Sequence, residues 1–447
     1  VEFRDREIVI IGTKRSGLAA AELLLRSGAR VRAISDKPLT PAERAVFDGL
    51  GVPIAAQSAE ALFGSDLDRA PDLIVLSPAV PADLPLLREA RGRGIPILGE
   101  VELASHFLRG PVIGITGTNG KTTTTALTGY ILKESGISCQ VGGNIGKAVT
   151  AMVETSAESQ WNVLELSSFQ LEGIDCFRAR IGACLNVTPD HLDRHHDFES
   201  YTSAKARLFE TQRDGDMAVL NYEDATCRSF ASRTKAKVFW FSSGQRVPSG
   251  VWLENERLML GDKPLMARTG IHLRGMHNVE NVMAAALIAH LAGVAPDRIA
   301  GAVETFPGVE HRIEFVRKLD GVEYYNDSKA TNVDSTQKAI DAFEGGLWII
   351  LGGKDKGSDY RPLGESLAKK AKSALLIGSA APIIESHLTG VLPLANCGTL
   401  SAAVEYARKH ATAGDTVLLA PACASFDQFE NFEHRGRVFK QLVAELF

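Results

Sequence analysis

The residues best suited to chemistry lie in one run, Pro111-Val112-Ile113-Gly114-Ile115-Thr116-Gly117-Thr118-Asn119-Gly120-Lys121-Thr122-Thr123. An apolar stretch leads into a turn with glycines at 117 and 120, and Lys-Thr then opens a helix. That order builds a phosphate cradle. Glycines let backbone N–H groups approach an anion, the helix start adds positive partial charge, and a lysine reaches the outer phosphates. Thr122 can offer its hydroxyl to Mg²⁺. The run departs from G-x-x-x-x-G-K-[ST], because Ile115 stands where the first glycine belongs.

Other candidates gather around this loop. Glu165 ends the apolar stretch 161–166 and is either a Mg²⁺-side carboxylate or a surface glutamate at a strand end. The segment Asn186 to Asp197 holds Asp190, His191, Asp193, His195, His196 and Asp197. Zinc asks for three or four ligands on regular elements, which this Pro-containing segment does not offer. His191 is expected to assist a magnesium site, with the rest solvated. Lys205 and Arg207, on a helix expected over 200–211, are surface charges by default. Asn278 and Asn281 share a helix face. Two amides there suit the edge of a base, whereas helix capping explains one of them. Cys423, with no histidine beside it in sequence, reads as a small buried hydrophobe.

These residues need alternating strands and helices to position them. Residues 7–12, a helix over 18–26 and residues 30–34 form a Rossmann-like β-α-β start. Lys14 replaces the second glycine of G-x-G-x-x-G, which argues against a dinucleotide pyrophosphate. Asp36 can take a ribose or uracil group or serve only as a turn residue. Residues 347–351 run into the glycine-rich turn 352–357, and 416–420 run into 421–427. Both turns fall beyond strand carboxyl ends, where open α/β sheets bind ligands. The expected division is 1–109, 110–308 and 309–447.

The 447 residues suit about three domains. A 45% apolar and 23% charged composition is that of a soluble globular chain, and a net charge of −5 argues against a general nucleic-acid binder. Six scattered cysteines without a C-x-x-C pair indicate neither a disulfide framework nor a zinc knuckle. A start charged from its second residue and without a signal-type apolar block, and no run approaching a membrane span, set the expectation of a reduced, cytoplasmic protein.

With these blocks assembled, the chain resembles the Mur ligase family of ATP-dependent amide-bond formers. The resemblance rests on 114–123, 164–170, Asp190-His191-Leu192-Asp193-Arg194, 277–281, His311-Arg312, 325–332 and 420–436. It implies an α/β fold of three domains: a Rossmann-like N-terminal domain binding UDP, a central P-loop ATPase domain, and a Rossmann-like C-terminal domain binding an amino acid. It further implies that ATP phosphorylates the carboxylate of UDP-N-acetylmuramoyl-L-alanine and that D-glutamate attacks the acyl phosphate. Lys121, Glu165, His191, Lys205 and Arg312 would be catalytic. Gly117, Thr118, Asn119, Gly120, Lys121, Thr122, Thr123, Asn278, Asn281, Arg312 and Asp327 would bind ATP. Thr122 and Glu165 would hold one Mg²⁺, and His191 with Lys205, carried as N6-carboxylysine, a second. Arg15, Ser16, Asp36, Lys37 and Asn144 would face the UDP-sugar, and Lys329, Thr331, Lys356, Ser425, Phe426 and Phe432 the amino acid. A monomer without nucleic-acid partners or a membrane span is expected. Sister ligases, folylpolyglutamate-type ligases and a nucleotide switch without ligase chemistry are the competing readings.

Overall fold

A computed structural model describes residues 2–64 and 70–447, with Asp193 described by its backbone alone. The chain forms two compact units, Val1–Gly270 with Glu280–Thr305, and Ile271–Val279 with Phe306–Phe447. No helix among the described residues is long and apolar enough to cross a membrane.

The first unit holds two sheets. One comprises β1 (Glu7–Ile11), β2 (Arg30–Ser35), β3 (Ile54–Ala56), β4 (Leu73–Leu76) and β5 (Ile97–Gly99) in the order β3-β2-β1-β4-β5. Its strands pair in parallel. The Ile-Val-Ile-Ile core of β1 is buried throughout, as expected of a central strand covered on both faces. The helix after β1 spans Arg15–Arg26 and so starts three residues before the expected Leu18. Gly17 makes this early start possible, since a Cβ there would lie 1.8 Å from the Gly12 carbonyl oxygen.

The second sheet comprises β6 (Val112–Thr116), β7 (Cys139–Gly143), β8 (Trp161–Glu165), β9 (Ile181–Cys184), β10 (Met217–Asn221), β11 (Lys237–Ser242), β12 (Gly250–Glu254), β13 (Arg257–Leu260) and β14 (Lys263–Ala267). The order is β14-β13-β12-β11-β10-β9-β6-β8-β7, parallel from β7 to β12 with an antiparallel edge. Between β8 and β9, β6 is central, which aligns Ile115 with Glu165 and Thr116 with Cys184. Ile115 is thus a buried strand residue, and the loop proper is confined to 117–120.

The second unit is built on β15 (Glu314–Leu319), β16 (Val322–Asn326), β17 (Leu347–Gly352), β18 (Ala371–Ile377), β19 (Leu394–Gly398) and β20 (Thr416–Leu419), ordered β15-β16-β20-β17-β18-β19. Inserting β20 between β16 and β17 places the carboxyl ends of three parallel strands side by side.

Within the first unit, the helix Glu100–Ser105 carries a joint between the two sheets. Glu102, 1% exposed, accepts backbone N–H groups of Asp175 (2.7 Å), Cys176 (3.0 Å) and Phe177 (2.9 Å). A charged acceptor of this kind contributes about 1.5–3 kcal/mol. Glu102→Ala removes the acceptor of all three N–H groups, so it should lower stability by at least that amount, measured as a fall in the urea midpoint. An unchanged midpoint would mean that the joint does not depend on the carboxylate.

Candidate active site

The phosphate loop is held from outside itself. Asn186 accepts the Asn119 N–H (2.8 Å) and returns an amide N–H to the Asn119 carbonyl (3.1 Å). Thr118 Oγ1 accepts the Thr188 N–H (3.0 Å) and lies 3.0 Å from the buried Tyr201 hydroxyl. Gly120 has φ +85°, and a Cβ there would lie 2.2 Å from Asn281 Oδ1, so only glycine fits. The loop leads into the helix Lys121–Glu134, whose first residues donate where an anion would lie. Thr122 and Thr123 are buried at its start. Thr124 reaches Asn281 Oδ1 at 3.3 Å, which brings Asn281 to the loop. Asn278, also buried, donates to the Arg274 carbonyl (2.7 Å).

Two ammonium groups converge on one oxygen. Lys121 Nζ donates to the carbonyls of Gly117 and Thr118, both at 2.8 Å, and Lys205 Nζ donates to the same Gly117 carbonyl at 2.9 Å. Lys205, in the helix Phe198–Glu210, is 1% exposed and lies 4.5 Å from the centre of the Tyr201 ring. It is therefore no surface charge. Burial, reinforced by the Lys121 charge, lowers its ammonium to about 7.

Glu165 is 1% exposed, which removes the surface alternative. Its Oε1 accepts from Asn144 Nδ2 (2.7 Å), and its buried Oε2 has no hydrogen-bond partner among the described residues. Asn144 is thereby a Glu165 support as well as an expected sugar contact. Arg15 in turn donates to the carbonyls of Gly146 (2.7 Å) and Asn144 (3.3 Å). Ser16 is the second residue of the helix after β1, and Asp36 and Lys37 are exposed beyond β2.

The expectation that the remainder of 186–197 is solvated is overturned at several points. His195 is 3% exposed, 2.9 Å from Ser168 Oγ and 3.0 Å from Glu172. Asn186 and Thr188 brace the loop, and Arg194 pairs with Glu172 at 2.9 Å. A short helix, Leu192–His195, folds these side chains inward, and no period in so short a segment announces that. His191 is exposed, in left-handed backbone (φ 54°), with its ring centre 5.0 Å from that of Phe169 in an edge-on arrangement. A cavity of about 530 Å³ lies nearby, lined in part by Ser77, Pro78, Arg91, Glu100, Gln170 and Arg194.

In the second unit, the turns after β16, β20 and β17 are laced together. Ala422 N–H donates to the Ala330 carbonyl (2.9 Å), Gly352 N–H to Pro421 (2.8 Å) and Lys354 N–H to Ala424 (2.8 Å). Lys329, Thr331, Ser425 and Lys356 rise from these turns. Ser425 is buried, Lys356 exposed, and Lys329 Nζ stands 4.0 Å from the centre of the Phe432 ring. Phe426 is 66% exposed. Burial pushes the Asp327 carboxyl up to about 7, while the Arg312 guanidinium pulls it down. Cys423 is buried with its sulfur 3.0 Å from the Tyr360 hydroxyl, and burial raises its thiol to about 11, the environment of an inert side chain. Glu310, His311 and Glu314 bring ligand atoms within 4.8 Å of one another, but Lys440 Nζ already lies 2.8 Å from both carboxylates. Sequence reading passed over Asn186, Tyr201 and Arg435. Asn186 and Arg435 lie inside the segments 186–197 and 420–436 without a role of their own there, whereas Tyr201 looks like an ordinary amphipathic-helix residue.

Residues 115–289 match the Mur ligase middle domain and residues 311–423 the Mur ligase glutamate ligase domain. The chain is 58% identical over 435 residues to a UDP-N-acetylmuramoylalanine–D-glutamate ligase of Solibacter usitatus, covering 97% of each chain. It is 48% identical to the enzyme of that name from Acidobacterium capsulatum, over 99% of this chain and 97% of the other. Among solved structures, MurF ligase from Thermotoga maritima in complex with ADP shares the fold at TM-score 0.63 and 17% identity, covering 99% and 96% of the two chains. UDP-N-acetylmuramate-alanine ligase from the same organism does so at TM-score 0.61 and 19% identity, over 98% and 99%. With a phosphate loop of this geometry and relatives this similar over nearly their full length, the chain belongs to the Mur ligase family.

Proposed function

We propose that this chain joins D-glutamate to UDP-N-acetylmuramoyl-L-alanine in peptidoglycan precursor synthesis, a cytoplasmic reaction driven by ATP. The observation that carries the reading is the phosphate loop, with Lys121 and Lys205 meeting at the Gly117 carbonyl. A carboxylate is a poor acylating agent. Transfer of the γ-phosphoryl group to the alanyl carboxylate releases ADP and leaves an acyl phosphate, splitting one hard step into two. The D-glutamate amine then bonds to the acyl carbon, and the tetrahedral intermediate collapses to the amide as phosphate departs.

Lys121 answers the charge that develops on the transferring group, where positioning and electrostatics supply most of the catalysis. Arg312, Asp327, Asn278 and Asn281 keep the ATP roles that the resemblance implies. Arg15, Ser16, Asp36, Lys37 and Asn144 keep the UDP-sugar. The strand-end turns of the second unit, with Lys329, Thr331, Lys356, Ser425, Phe426 and Phe432, take D-glutamate.

The donor set suits Mg²⁺. The Thr122 hydroxyl and the unpartnered buried oxygen of Glu165 are hard oxygen ligands of the kind it prefers. When bound, Mg²⁺ would neutralise phosphoryl oxygen charge. A second ion would be held by His191 and by Lys205 as a carbamate. Carbamate formation joins a neutral amine to CO₂ and releases a proton. An amine near 7 is neutral often enough to react, which supports that assignment.

Phosphate release with each substrate omitted in turn tests the whole reading, since it should require ATP, UDP-sugar and D-glutamate together. Lys121→Ala should lower turnover by about 10²–10³-fold while UDP-sugar binding by calorimetry is unchanged. Turnover within a few fold of the parent would remove the phosphate-loop assignment.

Lys205→Ala should be nearly inactive and partly restored by a small carboxylic acid. A readout independent of activity follows from its lowered ammonium. Between about pH 7 and the ordinary lysine value of 10.5, the folded chain binds fewer protons here than the unfolded one, so stability should rise with pH across that window. In CO₂-free buffer, urea midpoints of Lys205→Ala should lack this rise. Parallel pH profiles in both proteins would mean that the buried Lys205 ammonium is not lowered, which removes the carbamate argument.

A further inference from the structure

The second unit buries an arginine at the junction of the turns assigned to D-glutamate. Arg435, in the helix Phe432–Ala444, has 0% exposure. Its Nε donates to Ser328 Oγ (3.0 Å) and one terminal nitrogen to the Ser328 carbonyl (2.8 Å). Both terminal nitrogens reach the Cys423 carbonyl (3.2 Å), and one also reaches Ala424 (3.4 Å). A Cβ on Gly353 would lie 3.1 Å from the same guanidinium. One planar fork therefore bonds the turn after β16 and the turn after β20, and it leaves no room for a side chain at Gly353 in the turn after β17.

No carboxylate among the described residues pairs with it within ion-pair distance. The cation is met by backbone carbonyls and a hydroxyl, and burial lowers it to about 10. A buried charge without a counter-ion is costly unless hydrogen bonds and a nearby anion offset it. The residues next along these turns are Lys329, Ser425 and Lys354, and Ser328 Oγ also donates to the Phe432 carbonyl (2.8 Å). The guanidinium thus fixes the backbone from which the pocket residues project, and it adds positive potential beneath them.

We propose that Arg435 is a positioning residue for the amino-acid substrate, setting affinity for the dicarboxylate by locking the turns after β16 and β20 in register. The proposal rests on the D-glutamate reading of the second unit. Arg435→Lys keeps the charge but not the fork, and a lysine is not a conservative replacement at a multiply bonded site. Several charge-assisted bonds are lost, so KM for D-glutamate should rise about 10- to 100-fold, with kcat at saturating D-glutamate reduced only a few fold. KM for ATP and for the UDP-sugar should stay within about twofold of the parent. Ser328→Ala, which removes one of the Arg435 bonds, should move the same KM in the same direction by less.

A purely structural role predicts a different pattern, with a lower unfolding midpoint and fewer active molecules but an unchanged D-glutamate KM. That pattern in Arg435→Lys, or an equal rise in all three KM values, would overturn the proposal. If Arg435→Lys does not fold, Ser328→Ala decides on the same criterion. Failure of the underlying reading looks different again, because the unaltered protein would then release no phosphate in response to D-glutamate.

Discussion

The carbonyl oxygen of Gly117 is the point on which the candidate site turns. It accepts hydrogen bonds from Lys121 and Lys205, one from the loop's own helix and one from a helix more than eighty residues further along. Two ammonium groups drawn to one oxygen in a buried setting repel each other, and part of that repulsion appears as the lowered Lys205 ammonium. An anion brought to the loop would relieve it. The same field that disfavours the protonated form of Lys205 therefore favours phosphate.

Such an arrangement holds only if the loop cannot yield. Asn186 and Thr188, which follow β9, clamp Asn119 and Thr118, while the Asn281 amide fills the space that a side chain at Gly120 would need. On the other flank of β6, Glu165 is held by Asn144, whose carbonyl is held by Arg15. Strand adjacency is the cause of this convergence. Because β6 lies between β8 and β9, the turns that follow all three strands meet at one edge of the sheet.

The second unit solves a similar problem with one residue. Its adjacent strand ends, β16, β20 and β17, present three turns that ordinary backbone bonds lace in pairs, and Arg435 bonds two of them together. In both units a buried cation donates to backbone carbonyls of strand-end turns, one for Lys205 and three for Arg435. The Glu310, His311 and Glu314 group shows the opposite case, where Lys440 already neutralises the carboxylates and leaves little attraction for another cation.

Much of this was legible before any coordinates. Apolar runs located β1, β6, β8, β17 and β20, the first, second and fourth closed by glycine-bearing turns, because a central strand buried on both faces is mostly apolar. Lys121 and Thr122 declared themselves through the backbone chemistry of a phosphate loop, which is local. Long-range packing was not legible. Lys205 and Arg207 share one helix and look alike in sequence, yet Lys205 is 1% exposed because its side chain meets a loop eighty-eight positions earlier. His195 looked solvated until a four-residue helix turned it onto Ser168 and Glu172. Arg435 fell inside the block 420–436, but nothing in its own sequence context marked it as buried. A charged residue near a helix start is normally a surface residue, and only the order of strands in the sheet placed the carbonyls of Ser328, Cys423 and Ala424 around it. Local sequence determined where the chain could bind an anion, through glycine, lysine and strand periodicity. Tertiary structure decided which distant charges are buried beside that anion, because desolvation depends on what packs against a side chain and not on its neighbours along the chain.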